Sequence, residues 1–171
     1  RRRQRQMCIR DSAQLVNVIA PIMAEEHGPA WRQTTFYPFA EAALHARGQA
    51  YAPAISSPTI HTEAYGDVPA IDAVVTWDEQ ARTGLLLAVN RDANTPHTLT
   101  IDLSGLPGLP GLGTLALGKA QLLHEDDPYR TNTAEAPEAV TPQPLDIAMN
   151  ATGTCTATLP AISWISVEFH G

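Results

Sequence analysis

The side chains able to do acid–base, nucleophilic or metal chemistry are scattered along this 171-residue chain, and no spacing gathers them into a reacting set. Glu25 and Glu26 are adjacent, and Glu125, Asp126 and Asp127 close an apolar run just before Pro128. Paired carboxylates suit general acid–base work, but sequence neighbours in polar stretches read as solvated acidic turns. His27, His45, His61, His97, His124 and His170 lack a ligand spacing such as His-x-x-x-His, so no metal site is expected. A Gly-x-Ser-x-Gly elbow, a phosphate-cradling loop and a dinucleotide fingerprint are all missing from the sequence. Cys8 and Cys155 are its only thiols, too few for a disulfide framework, which suits a reducing compartment.

Composition narrows the class. With 44% hydrophobic and 17% charged residues the chain reads as a globular protein, and no apolar run nears the ~20 residues that span a bilayer. No membrane partner is expected. The formal charge is -7, but Arg1, Arg2, Arg3, Arg5 and Arg10 crowd the start, and beyond residue 12 six basic residues face seventeen acidic ones. Such a body repels phosphate backbones, so no nucleic-acid partner is expected either. Residues 1–12 carry no structural pattern and read as a non-native leader rather than a basic binding arm.

Few elements are available to position any site. From Trp31 to about Arg47 the residues Phe36, Phe39, Ala40, Ala43 and Leu44 recur at helical spacing, with Thr34 or Thr35 to cap the start and Gly48 after the end. That helix needs a partner for its apolar stripe. After Gly48 the period becomes two. Strands are expected over Tyr51–Ser56, Ala70–Trp77, Gly84–Asn90, His97–Leu103, Thr114–Leu123 and Thr154–Leu159, with a last one through Ile165, Val167 and Phe169. The Gly- and Pro-rich run from Gly105 to Gly113 reads as a hairpin loop, and Pro128 to Pro144 as a long connector. The fold class is therefore mainly β, an antiparallel β-sandwich of jelly-roll type.

Three segments in one register carry a resemblance. They are Ala13-Gln14-Leu15-Val16-Asn17 running on to Trp31-Arg32-Gln33-Thr34-Thr35-Phe36, then Ser56-Ser57-Pro58 through Asp67-Val68-Pro69-Ala70-Ile71-Asp72 to Ala88-Val89-Asn90-Arg91, and finally Leu159-Pro160-Ala161-Ile162-Ser163-Trp164. Together they resemble the closing part of the α-L-arabinofuranosidases of glycoside hydrolase family 51. The resemblance implies a retaining glycosidase without metal or organic cofactor, acting on terminal non-reducing α-L-arabinofuranosyl residues of arabinan- or arabinoxylan-derived saccharides. Retention uses two carboxyl groups roughly 5 to 5.5 Å apart. In the family these are glutamates in Asn-Glu-Pro and Asp-Glu-Trp contexts, and neither occurs in this sequence.

The resemblance also divides the chain. Residues 13–48 would be the end of a (β/α)8 barrel, its last loop and helix, and residues 49–171 a β-sandwich, so that the chain is expected to be a C-terminal fragment, inactive alone. Gln14 falls where the family's eighth barrel strand ends facing the active site, and its amide can both donate to and accept from sugar hydroxyls. Asn17 follows as a weaker substrate-binding candidate, or as a group that satisfies the loop backbone. Trp31 is a candidate for stacking on a sugar face or for packing at the seam between barrel and sandwich. The resemblance further implies a homo-oligomer, and the scarcity of cysteine points to the cytoplasm. The alternative is a non-catalytic carbohydrate-binding or structural β-sandwich module.

Overall fold

The computed structural model describes residues 16–17, 20–106, 115–150 and 153–171. In chain order these form β1 (Ile22–Ala24), β2 (Ala30–Arg32), α1 (Phe36–His45), β3 (Gln49–Tyr51), β4 (Thr59–Thr62), β5 (Gly66–Pro69) and β6 (Ile71–Asp78). They continue with β7 (Thr83–Asn90), β8 (His97–Asp102), β9 (Ala116–His124), β10 (Gln143–Pro144), β11 (Ile147–Met149), β12 (Thr154–Leu159) and β13 (Ser163–His170). One sheet has the order β10-β9-β13-β7-β6-β3, a second the order β11-β12-β8, and β1–β2 and β4–β5 are separate hairpins. Every paired strand is antiparallel to its neighbour.

Alternation decides which face is dry. Leu99, Ile101 and Leu103 of the β8 region and Cys155, Ala157 and Leu159 of β12 turn inward, while Thr98, Thr100 and Asp102 stay exposed. Opposite them stand Ile71, Val75 and Trp77 of β6, Leu86 and Ala88 of β7, and Ile165, Val167 and Phe169 of β13, closing one core. Trp77 and Phe169 stack with ring centroids 5.7 Å apart. That stack fits only because position 84 has no side chain. A Cβ on Gly84 would sit 2.2 Å from the Phe169 ring. Burial pushes the Cys155 thiol up, which suits an inert core residue.

Two expectations need correction. Trp31 and Arg32 lie in β2 and the helix starts only at Phe36, with Pro38 in its first turn, where a missing N–H costs nothing. The strand expected over Tyr51–Ser56 stops at Tyr51, because Pro53 and Pro58 break the ladder, and the β4–β5 hairpin follows instead. The other expected strands fall within two residues of their bounds, whereas β10, at the end of the stretch read as a connector, and β11 are not among the expected strands. Most of the Gly105–Gly113 run lies outside the described residues.

The helix packs on β13 by the face the stripe did not indicate. Glu41 is its buried residue, whereas Phe39 is 44% and Leu44 65% exposed. Ile165, Val167 and Phe169 of β13 face the core, so Ser166 and Glu168 mark the opposite, outer face of the six-stranded sheet, and α1 covers that side. Gly48 (φ 75) ends the helix region in the left-handed conformation.

Candidate functional site

Of the three residues singled out from the sequence, Gln14 lies outside the described residues. Asn17 and Trp31 come together in the β1–β2 unit. Asn17 adopts a left-handed backbone (φ 63), in which its own N–H donates to the Ile22 carbonyl at 2.8 Å and its Oδ1 accepts from the Ala24 N–H at 2.7 Å. The side chain thereby folds the loop back onto β1. Trp31 pairs with Met23 across the hairpin, and its indole N–H donates to the Asn132 carbonyl at 3.0 Å. Its polar handle is engaged by the protein itself.

Asn132, which sequence reasoning passed over, organises this region. It is 1% exposed. Its amide donates to the Arg32 carbonyl at 2.8 Å and to the Val140 carbonyl at 3.0 Å, and its Oδ1 accepts from the Val140 N–H at 2.7 Å. The Asn132 carbonyl accepts from the Gln33 amide as well as from Trp31. One buried amide thus fastens the long 125–142 connector to the hairpin that carries Trp31. Its only sequence signal is an Asn within a polar stretch.

Asn90 does the same at one end of the sandwich. Its amide donates to the carbonyls of Thr95, Leu159 and Pro160, and its Oδ1 accepts from the Asp92 N–H. Asp92 in turn accepts from the N–H groups of Asn94 and Thr95 and lies 3.0 Å from His97 Nε2. The Asn94 backbone bond, then the His97 ring, hold its carboxyl below the usual carboxylate range.

The acidic groups of the sequence remain apart from this framework. Glu25 and Glu26 sit in the exposed β1–β2 turn, where Glu26 approaches His27 at 3.8 Å. Glu125 lies 3.5 Å from Arg130 and Asp126 lies 3.3 Å from His124, both near the surface. These carboxylates are tied up as turns and ion pairs. A cavity of about 730 Å³ opens between the sheets, walled by Pro53 to Pro58 on one side and by β8 and Leu86 on the other. Among the described residues β8 pairs only with β12, so its other edge is open there. A second, shallower hollow on the outer sheet face is lined by Val74, Leu87, Val89 and Trp164.

Fold and site together define an antiparallel β-sandwich that carries a braced hairpin and, on its outer sheet face, an apolar hollow. The alpha-L-arabinofuranosidase C-terminal domain model matches residues 7–163, and the chain belongs to that family. It is 43% identical over 159 residues to an exo-α-(1→6)-L-arabinofuranosidase of Bifidobacterium longum, covering 91% of this chain and 29% of the relative. It is 41% identical over 156 residues to an intracellular exo-α-(1→5)-L-arabinofuranosidase of Streptomyces lividans, covering 91% of this chain and 22% of that one. Among solved structures, AbfB, a family 51 α-L-arabinofuranosidase from Bifidobacterium longum, superposes with a TM-score of 0.87 at 96% identity, over 92% of this chain and 29% of its own. The chain spans less than a third of the length of these relatives. No helix among the described residues is long and apolar enough to cross a membrane.

Proposed function

We propose that this chain is the supporting C-terminal part of a retaining exo-α-L-arabinofuranosidase that removes terminal α-L-arabinofuranosyl residues from arabinan- or arabinoxylan-derived saccharides. The observation that carries the reading is the 96% identity to AbfB across 92% of this chain. In this reading residues 13–48 close a catalytic barrel, residues 49–171 brace it, and the acid and nucleophile come from sequence outside this chain. Exposed Phe39 and Leu44 on α1, with Val74, Leu87, Val89 and Trp164 on the outer sheet, supply an apolar surface for the barrel. The open edge of β8 and the cavity beside it take a strand from the same source.

Gln14 then hydrogen-bonds the furanose hydroxyls, Asn17 holds the loop behind it, and Trp31 lines the seam. No cofactor is needed, because two carboxyl groups suffice for retention. The intracellular relatives support a cytoplasmic enzyme rather than a secreted one, and the resemblance to the family carries the expectation of a homo-oligomer.

A two-part experiment tests this. The chain alone should release no p-nitrophenol from p-nitrophenyl α-L-arabinofuranoside. Exchanged for the corresponding C-terminal segment of AbfB, it should restore an active enzyme. A soluble chimera without activity, or an active isolated chain, would overturn the proposal.

A further inference from the structure

The helix–sheet seam holds three donors that the sequence pattern did not flag. Glu41 and His45 stand four residues apart on α1, hence on one face, and Glu168 projects from the outer face of β13. One ligand atom from each lies within 4.8 Å of the others, and His45 Nδ1 is 3.7 Å from Glu168 Oε1.

Glu41 supplies a second, independent observation. It is only 8% exposed, and its Oε2 accepts from the Gln121 amide at 3.1 Å, while its Oε1 is buried with no hydrogen-bond partner among the described residues. A dry carboxylate oxygen without a donor costs free energy that a cation would recover. Gln121 also reaches Ser166 Oγ at 3.4 Å, so the carboxylate is oriented from behind, as outer-sphere partners of metal ligands are.

We propose that Glu41, His45 and Glu168 bind a divalent ion of the zinc class and so clamp α1 to β13. An imidazole with two carboxylates is a nitrogen–oxygen donor set that favours zinc or cobalt over calcium or magnesium, which take oxygen ligands. Zinc bonds of about 2.0 to 2.2 Å place tetrahedral donors roughly 3.3 to 3.6 Å apart. The 3.7 Å pair nearly meets this spacing, and rotation of the half-exposed His45 and the Glu168 side chain brings in the rest. Three protein ligands leave a fourth position for water. The competing cation is Lys119, which lines the adjacent hollow with Glu41 and Gln121. The proposal stands independently of the enzymatic reading.

The test is titration of the metal-stripped 171-residue chain with zinc chloride by calorimetry, and with cobalt chloride by its visible absorption. One equivalent should bind, with a rise in melting temperature and a tetrahedral cobalt spectrum. His45→Ala and Glu168→Gln, both at partly exposed side chains, should each weaken zinc binding at least tenfold and abolish the thermal shift while leaving the metal-free melting temperature near that of the parent. Unchanged zinc affinity in both variants, no saturable binding in the parent, or equal affinity for magnesium would overturn the site. Loss of binding in Lys119→Ala with retention in His45→Ala would overturn it equally.

Discussion

Asn132 offers the sharpest check on how this fold is held. Asn132→Ala removes three hydrogen bonds and strands three backbone groups, the carbonyls of Arg32 and Val140 and the Val140 N–H. Arg32 is exposed, so its carbonyl rehydrates, but Val140 is buried and its two groups stay dry. A net loss of about 1 kcal/mol for the bond to the Arg32 carbonyl, with about 1 to 3 kcal/mol for each of the two Val140 groups left unpaired, gives roughly 3 to 7 kcal/mol. For a chain of this length that lowers the melting temperature by about 10 to 20 °C. Asn132→Asp keeps the shape and the acceptor, but loses both donors and sets an anionic oxygen against two carbonyls. It should be at least as destabilising at neutral pH and should recover partly in acid. Urea unfolding followed by circular dichroism gives the free energy, and exchange of the Trp31 indole proton reports the hairpin locally. A loss below about 1 kcal/mol in Asn132→Ala, or an indole proton that stays protected while global stability falls, would refute the clamp.

Other perturbations separate neighbouring parts of the argument. Gly84→Ala drives a methyl into the Phe169 ring, so the Trp77–Phe169 stack must shift, at a cost of about 1 to 3 kcal/mol in chemical unfolding; an unchanged midpoint would show that the stack yields freely. The lowered carboxyl of Asp92 means that the unfolded chain takes up its proton first as pH falls, so stability is full above the ordinary carboxylate range and is lost as pH drops through the folded value. Asp92→Asn should therefore flatten the acid limb of the melting-temperature profile, and an identical acid limb would dismiss the contribution. Phe39→Ser with Leu44→Ser should leave the isolated chain as stable or more soluble, yet weaken the AbfB chimera, since those side chains are exposed here and covered only in the proposed enzyme. Thermal inactivation of the chimera measures this, and equal half-lives would remove the barrel-facing role of α1.

The strands were legible because their physics is local. Leu99-Thr100-Ile101 and Cys155-Thr156-Ala157 each state which side is dry, and β8 and β12 obey without help from elsewhere. The helix was legible as a helix but not in its orientation. Its stripe of Phe39, Ala43 and Leu44 gives the position of a hydrophobic face, yet nothing in the stripe says whether the surface that covers it belongs to the sandwich. The sandwich takes the Glu41 side instead, where Gln121 of β9 donates to one Glu41 carboxylate oxygen and reaches Ser166 of β13, a match between Glu41 and a residue 80 positions further along the chain. The same reason hid Asn132 and the Glu41–His45–Glu168 triad. An amide in a polar stretch, or a carboxylate on an apolar helix, acquires meaning only from the backbone groups and side chains that folding brings to it. A buried polar residue at a seam is therefore the feature most dependent on long-range register, and in this chain Glu41 ties α1 to the sandwich in this way and Asn132 ties the hairpin to the connector.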